Sequence, residues 1–161
     1  MKVISETTID KIIDELEEKG ITEPLIQSFK TSQPLIYAYL FSDSFDLSTQ
    51  NEKEYLFYLV IVAWKSIMEV VPDLEIVDEE EIGVSEEKNW ELINNVKATK
   101  FRDRITVLFE HSDQEDLLAF AEDMLTELDN EDSDNEIITK EGRELLFVAY
   151  KSIIDAIEMA N

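Results

Sequence analysis

Three glycines and three prolines in 161 residues leave this chain too few turn-forming positions for a many-stranded sheet. A β-sandwich or barrel needs a turn signal about every 8–12 residues. Helix is the state that remains, and apolar residues recur at helical spacing from the first turns onward. With 44% apolar residues the chain has the material for one ordinary hydrophobic core, and its length suits a single domain over residues 1–161. The expectation is an all-α fold, a compact bundle of about six or seven helices.

Ile9, Ile12, Ile13 and Leu16 form one apolar stripe, predicting a first helix over about 8–19 with Thr7 or Thr8 as cap and Gly20 beyond its end. Thr22 is placed to cap a second helix, with Pro24 in its first turn and Leu25, Ile26 and Phe29 on its apolar side. Pro34 opens a third through Phe41. The polar stretch from Ser42 to Gln50 is a predicted loop, packed back on the body through Phe45 and Leu47. Glu52–Val71 carries apolar residues around more than half its circumference, which predicts a central helix ended by Pro72. Residues 73–84, with Asp78 to Glu81 in a row and Gly83 after them, form a predicted acidic connection with room for one short strand at most. Ser85 starts the next helix, which reaches Glu110 in one or two pieces. Asp113 caps another, and after an acidic loop from Asp129 to Glu136, Thr139 caps the last, ending at Ala160.

An internal similarity runs across this order. Val62-Ala63-Trp64-Lys65-Ser66-Ile67-Met68-Glu69 matches Val148-Ala149-Tyr150-Lys151-Ser152-Ile153-Ile154-Asp155, 86 positions later. Upstream, Gln33 to Tyr39 aligns more weakly with Gln114 to Phe120, 81 positions later. Apolar periodicity alone produces matches between amphipathic helices, but it does not dictate the shared Lys-Ser pair. Two tandem helical-hairpin repeats, roughly 22–71 and 105–159, are therefore expected, with Lys65 and Lys151 extending their charged heads to water.

The charge balance excludes several classes. Thirty-eight acidic against fourteen basic residues give a net charge of −24, which repels nucleic-acid phosphates and anionic lipid head groups. Neither nucleic acid nor a membrane is an expected partner. The most apolar stretch, Tyr55 to Val71, is broken by Lys65, Ser66 and Glu69 and falls short of the roughly 20 residues that span a bilayer. Met1 to Asp10 shows no secretory signal pattern, and a cytoplasmic location is expected. Zero cysteines remove disulfides, thiolate nucleophiles and zinc ribbons.

Two constellations stand out as candidate sites. Asn130, Asp132, Asp134, Glu136 and Glu141 occupy positions one, three, five, seven and twelve of a segment that resembles a calcium-binding EF-hand loop. Alternating oxygens would meet a hard cation in turn, and a closing Glu can bind through both oxygens. The resemblance implies a calcium site, but Asn replaces Asp at position one and Asn135 replaces the turn glycine. The solvated reading is an acidic turn ahead of Thr139, and no metal or other cofactor is expected. The second constellation is basic: Lys97, Lys100 and Arg104 would share a helical face and meet a phosphate-bearing ligand or an acidic partner, unless neighbouring carboxylates pair with them.

Catalytic chemistry has little support. His111 is the single histidine, which removes two-histidine metal sites, and Ser112 and Asp113 follow it consecutively rather than at a spacing that implies a triad. A non-enzymatic protein-interaction module is expected, binding a cationic partner or a second copy of itself through apolar helix faces. The alternatives are a calcium-responsive domain using 130–141 and an acidic mimic of nucleic acid that blocks a DNA-binding protein. Charge gathered in loops at 78–81 and 129–136 weighs against the mimic.

Overall fold

Two long helices buried on nearly all sides organise the chain. The computed structural model describes residues 1–127 and 138–161. Among the described residues there is no strand, and the order is α1 (Glu6–Lys19), α2 (Glu23–Ser32), α3 (Pro34–Leu40), a 3-10 turn (Asp43–Phe45), α4 (Gln50–Val70), α5 (Glu79–Asn94), α6 (Phe101–Glu110), α7 (Glu115–Glu127) and α8 (Lys140–Ala160). This is an all-α bundle, with more helices than the six or seven expected. No helix among the described residues is long and apolar enough to cross a membrane.

α4 buries Leu56 and the run Leu59 to Trp64, while α8 buries every residue from Leu146 to Ile154. A helix apolar around most of its circumference is stable only inside other elements. Here α1 covers α4 and α5 covers α8. On α1, Lys11 pairs with Glu69 and Glu15 accepts from Lys65, so α1 and α4 run antiparallel. On α5, Ser85 lies against Met159 and Asn89 against Ser152 and Asp155, so α5 and α8 are antiparallel too.

The helix starts depart from expectation in an instructive way. Ser5, not Thr7 or Thr8, caps α1. Thr49 caps α4 in a full capping box with Glu52. Asp78 to Glu81 are no loop: Asp78 caps α5 in a second capping box with Glu81, and Gly83 lies inside that helix. Carboxylates are favoured in a first turn, because the exposed N–H groups there carry partial positive charge. Thr139 caps α8 as expected, its hydroxyl accepting from the Gly142 N–H.

The start of α8 depends on α4. Position three of a capping box is normally Glu or Gln, but in α8 it is Gly142. The missing carboxylate comes from Glu52, only 2% exposed. Its Oε1 accepts from the Thr49 N–H at 2.9 Å, and its Oε2 accepts from the Thr139 N–H at 3.1 Å and the Thr139 hydroxyl at 3.0 Å. A Cβ on Gly142 would overlap Glu52 Oε2 outright. One carboxylate thus serves two helix N-termini, and only glycine leaves room for it.

Two fully buried glutamines hold segments that are far away in sequence. Gln33, ahead of α3, accepts from the Val77 N–H (3.0 Å) and donates to the Glu75 carbonyl (2.9 Å). Gln114, ahead of α7, accepts from the Ile4 N–H (3.0 Å) and donates to the Lys2 carbonyl (3.0 Å). Each amide therefore clasps a non-helical segment, one leading into α5 and the other into α1. Buried backbone groups need partners, and side-chain amides supply both a donor and an acceptor at sheet-like spacing.

Candidate functional site

Among the described residues, the two most exposed large apolar side chains lie on the ridge formed by α3 and the 3-10 turn. Phe41 ends α3 with 66% of its surface exposed, its ring 4.8 Å from Tyr37 and 6.1 Å from Phe57. Phe45 is buried and meets Tyr39 edge-on at 5.3 Å, which anchors the turn. Leu47, expected to pack inward beside it, is instead fully exposed. Phe45 occupies the place toward the core, and the residues after it turn outward.

Ser42 sits between two grooves of about 500 Å³ each. One, between α3 and α5, is floored by Leu35, Ala38, Tyr39 and Ile82 and edged by Glu79 and Glu86. The other, between α2 and α4, is floored by Ile21, Ile26 and Phe57 and edged by Asp46 and Glu54, with Lys53 as its basic residue. Tyr39 donates to Glu86 Oε2 at 2.6 Å. Burial first, then that carboxylate, pushes the Tyr39 phenol far above its ordinary pKa.

The basic residues group differently from expectation. Lys97, Lys100 and Arg104 do not share a helical face, because α5 ends at Asn94 and α6 begins only at Phe101, leaving Lys97 and Lys100 in the connection. Arg104 supports that connection. Its guanidinium pairs with Glu144 at 2.8 Å and donates to the carbonyls of Val96 and Ala98 at 3.2 and 2.9 Å. The Glu144 hydrogen bond raises its pKa further. Lys100 and Arg104 line a concavity of about 720 Å³, joined there by Arg102, Lys140 and Arg143. Lys97 is not on its wall.

Of the acidic-loop residues, Asn130, Asp132, Asp134 and Glu136 lie outside the described residues, and Glu141 is exposed in the first turn of α8. His111 Nδ1 faces the Val107 carbonyl at 2.9 Å, while the Ser112 hydroxyl accepts from the Gln114 N–H at 3.1 Å. The two side chains are thus engaged with backbone rather than with each other.

One buried polar cluster runs against the sequence expectation. Lys151 does not extend its head to water: its side chain is 1% exposed and donates to Asp155 Oδ2 at 2.7 Å. Asn89, buried on α5, donates to the same oxygen at 2.9 Å and to the Ser152 hydroxyl at 3.0 Å. Ser85, Asn89 and Ser152 all lie at the α5–α8 contact, where Asn89 reaches the carboxylate that pairs with the lysine. Lys65, with 26% of its side chain exposed, reaches Glu15 at the 3.4 Å limit of a weak contact.

Buried phenols give the fold a pH limit. Burial, with Glu127 second, raises Tyr55 to about 12, and burial pushes Tyr150 well above the ordinary value. A pKa raised in the folded state stabilises the protein below the unfolded pKa of about 10, and that contribution is lost as pH rises through the folded value. For Tyr55 the window runs from about 10 to about 12, with Tyr39 and Tyr150 above it. Helical circular dichroism and phenolate absorbance are expected to change together, cooperatively, in that range. Titration of all five tyrosines near their ordinary pKa with the helix signal intact would contradict this packing.

Comparison of the chain with protein-family models, with curated proteins and with solved structures gives no match.

Proposed function

We propose that this protein is a non-enzymatic interaction module whose α3 and 3-10 ridge receives a basic amphipathic helix from a partner protein. The observation that carries the reading is the exposure of Phe41 and Leu47 within seven residues of each other, on the segment whose Ser42 lines two grooves edged by carboxylates, Phe41 itself lining the second. Large apolar side chains held in the open mark contact surfaces when they sit together beside concavities. The charge decides the class of partner. Glu79, Glu86, Asp46 and Glu54 around apolar floors, on a chain of net charge −24, favour a cationic helix and speed its approach.

The test uses labelled model peptides with Leu at i, i+3, i+4 and i+7, one carrying Lys on its polar face and one Glu. Fluorescence anisotropy with the Lys peptide is expected to show saturable binding that weakens with salt. Phe41→Ser combined with Leu47→Ser keeps the net charge and is expected to lower affinity at least about tenfold with unchanged circular dichroism. Equal affinity for the double variant and the parent would reject the ridge as the docking surface.

The two-repeat organisation belongs to the same reading, and here we infer a wider unit than the hairpins 22–71 and 105–159: α1 to α4 corresponding to α5 to α8. Three correspondences support it. The Gln33 and Gln114 clasps are alike and reciprocal. Ser66 and Ser152 each donate to the carbonyl four residues back at 2.7 Å. The α3–α5 groove also has a counterpart between α7 and α1, where Asp116, Ala119, Phe120 and Asp123 stand for Leu35, Ala38, Tyr39 and Ser42. Trp64 and Tyr150 weigh against a strict copy, since Trp64 donates to Ser32 on α2 and Tyr150 to the Leu117 carbonyl on α7. The counterpart groove holds about 240 Å³, less than half the other, and has carboxylates in place of Leu35 and Ser42. Docking on this reading is asymmetric.

A further inference from the structure

We propose that the concavity between α6 and the start of α8 binds a small phosphate-bearing anion. Five of the chain's fourteen basic residues line it: Lys100, Arg102, Arg104, Lys140 and Arg143. They come from segments 40 residues apart, and the fold brings them together where, among the described residues, two carboxylates line the wall, Asp103 and Glu144. In a chain of net charge −24, random placement would surround each cation with acids. Its volume of about 720 Å³ falls within the range of small-molecule sites.

The wall is held in place by its own contacts. Arg104 is fixed by Glu144 and by backbone carbonyls, so it shapes the pocket. Arg102 is steadied by Thr126 at 2.9 Å and Glu122 at 3.5 Å, and the Arg143 guanidinium lies 4.5 Å from the centre of the Phe101 ring. Lys100 and Lys140 are exposed, and among the described residues neither has a carboxylate within ion-pairing distance. They are the side chains available to a ligand.

Backbone donors add to this charge. α6 has Lys100 at its cap position and no side-chain cap hydrogen bond, in contrast to the capped starts of α1, α2, α4, α5 and α8. Its first-turn N–H groups, on the lining residues Phe101 to Asp103, carry the positive end of the helix dipole. Ammonium groups, a guanidinium fork and helix-start N–H groups are the donor set that phosphate oxygens accept from. Carboxylates more than a Debye length of about 8 Å away at physiological salt are largely screened, so the charges on the wall itself weigh most.

Titration calorimetry with inorganic pyrophosphate on the full chain tests this. Saturable binding with one site is expected, and Lys100→Ala with Lys140→Ala is expected to weaken it at least about tenfold without altering circular dichroism. The charge-matched control, Lys19→Ala with Lys97→Ala, removes two exposed cations off the concavity and should change affinity less than about twofold. Absence of binding to the parent protein, or equal weakening by both pairs, would overturn the site. Binding of a phosphoserine peptide without binding of pyrophosphate would overturn the small-molecule assignment.

Discussion

Replacing Gly142 by alanine is expected to destabilise the protein by about 2–4 kcal/mol, although the same change in a helix ordinarily gains about 0.5–1 kcal/mol. The reversal of sign follows from Glu52. A Cβ at this position would overlap the carboxylate, falling on Oε2 and only 2.5 Å from Cδ. The carboxylate must leave, and with it go the hydrogen bonds to the Thr139 N–H and hydroxyl at the start of α8. Gly83 provides the control, because it lies inside α5 with nothing beyond its own local helix backbone within 4 Å of the place a Cβ would take. Gly83→Ala is expected to raise stability by about 0.5–1 kcal/mol in the same chemical denaturation series. Two Gly→Ala changes shifting the denaturation midpoint in the same direction would contradict the shared cap.

The second large effect is an asymmetry within one ion pair. Asp155→Ala is expected to cost about 3–5 kcal/mol, because it leaves the Lys151 ammonium buried with, among the described residues, the His111 carbonyl at 3.4 Å as its remaining acceptor. Lys151→Met removes the other partner and is expected to cost less than about 1.5 kcal/mol. Its methylenes keep the packing, and Asp155, with 18% of its side chain exposed, keeps both water and the Asn89 amide. Equal costs for the two variants, read from urea midpoints at constant slope, would show that the buried lysine does not depend on its carboxylate.

Helix content and the central pair are legible in the chain because apolar periodicity and cap residues are local signals. Thr22, Thr139 and the apolar stripes of α1 and α4 carry their information within a few residues. The start of α5 is hidden for a physical reason: a run of acids has the composition of a loop, yet the same acids stabilise a first turn when Asp stands at the cap and Glu three residues on. Lys97 to Arg104 has helical spacing, but Arg104 binds the carbonyls of the connection and stabilises a break there. That bond spans several residues and involves Glu144 from α8, so no local pattern announces it.

The candidate surfaces are less legible still. The basic concavity is split between 99–104 and 140–144, and a reading along the chain finds only its first half. Phe41 and Leu47 look like any other apolar residues in sequence, and the general rule places such residues inside. Between them Phe45 takes the inward position, and nothing in its residue type distinguishes it from the other two. Gln33 and Gln114 stand aligned in the internal similarity, but their role needs the segments they clasp, which are 44 and 110 residues distant.

The docking ridge is the central claim, and amide chemical-shift mapping with the Lys-faced amphipathic peptide tests it most directly. The account predicts that perturbed amides concentrate on residues 35–47 of the ridge, on the facing turns of α5 from Glu79 to Glu86 and on the α2–α4 groove around Ile26, Glu54 and Phe57, with the α1–α7 counterpart groove unmoved. Shifts spread over acidic residues throughout the surface, or centred on the groove of Asp10, Asp116 and Asp123, would contradict it.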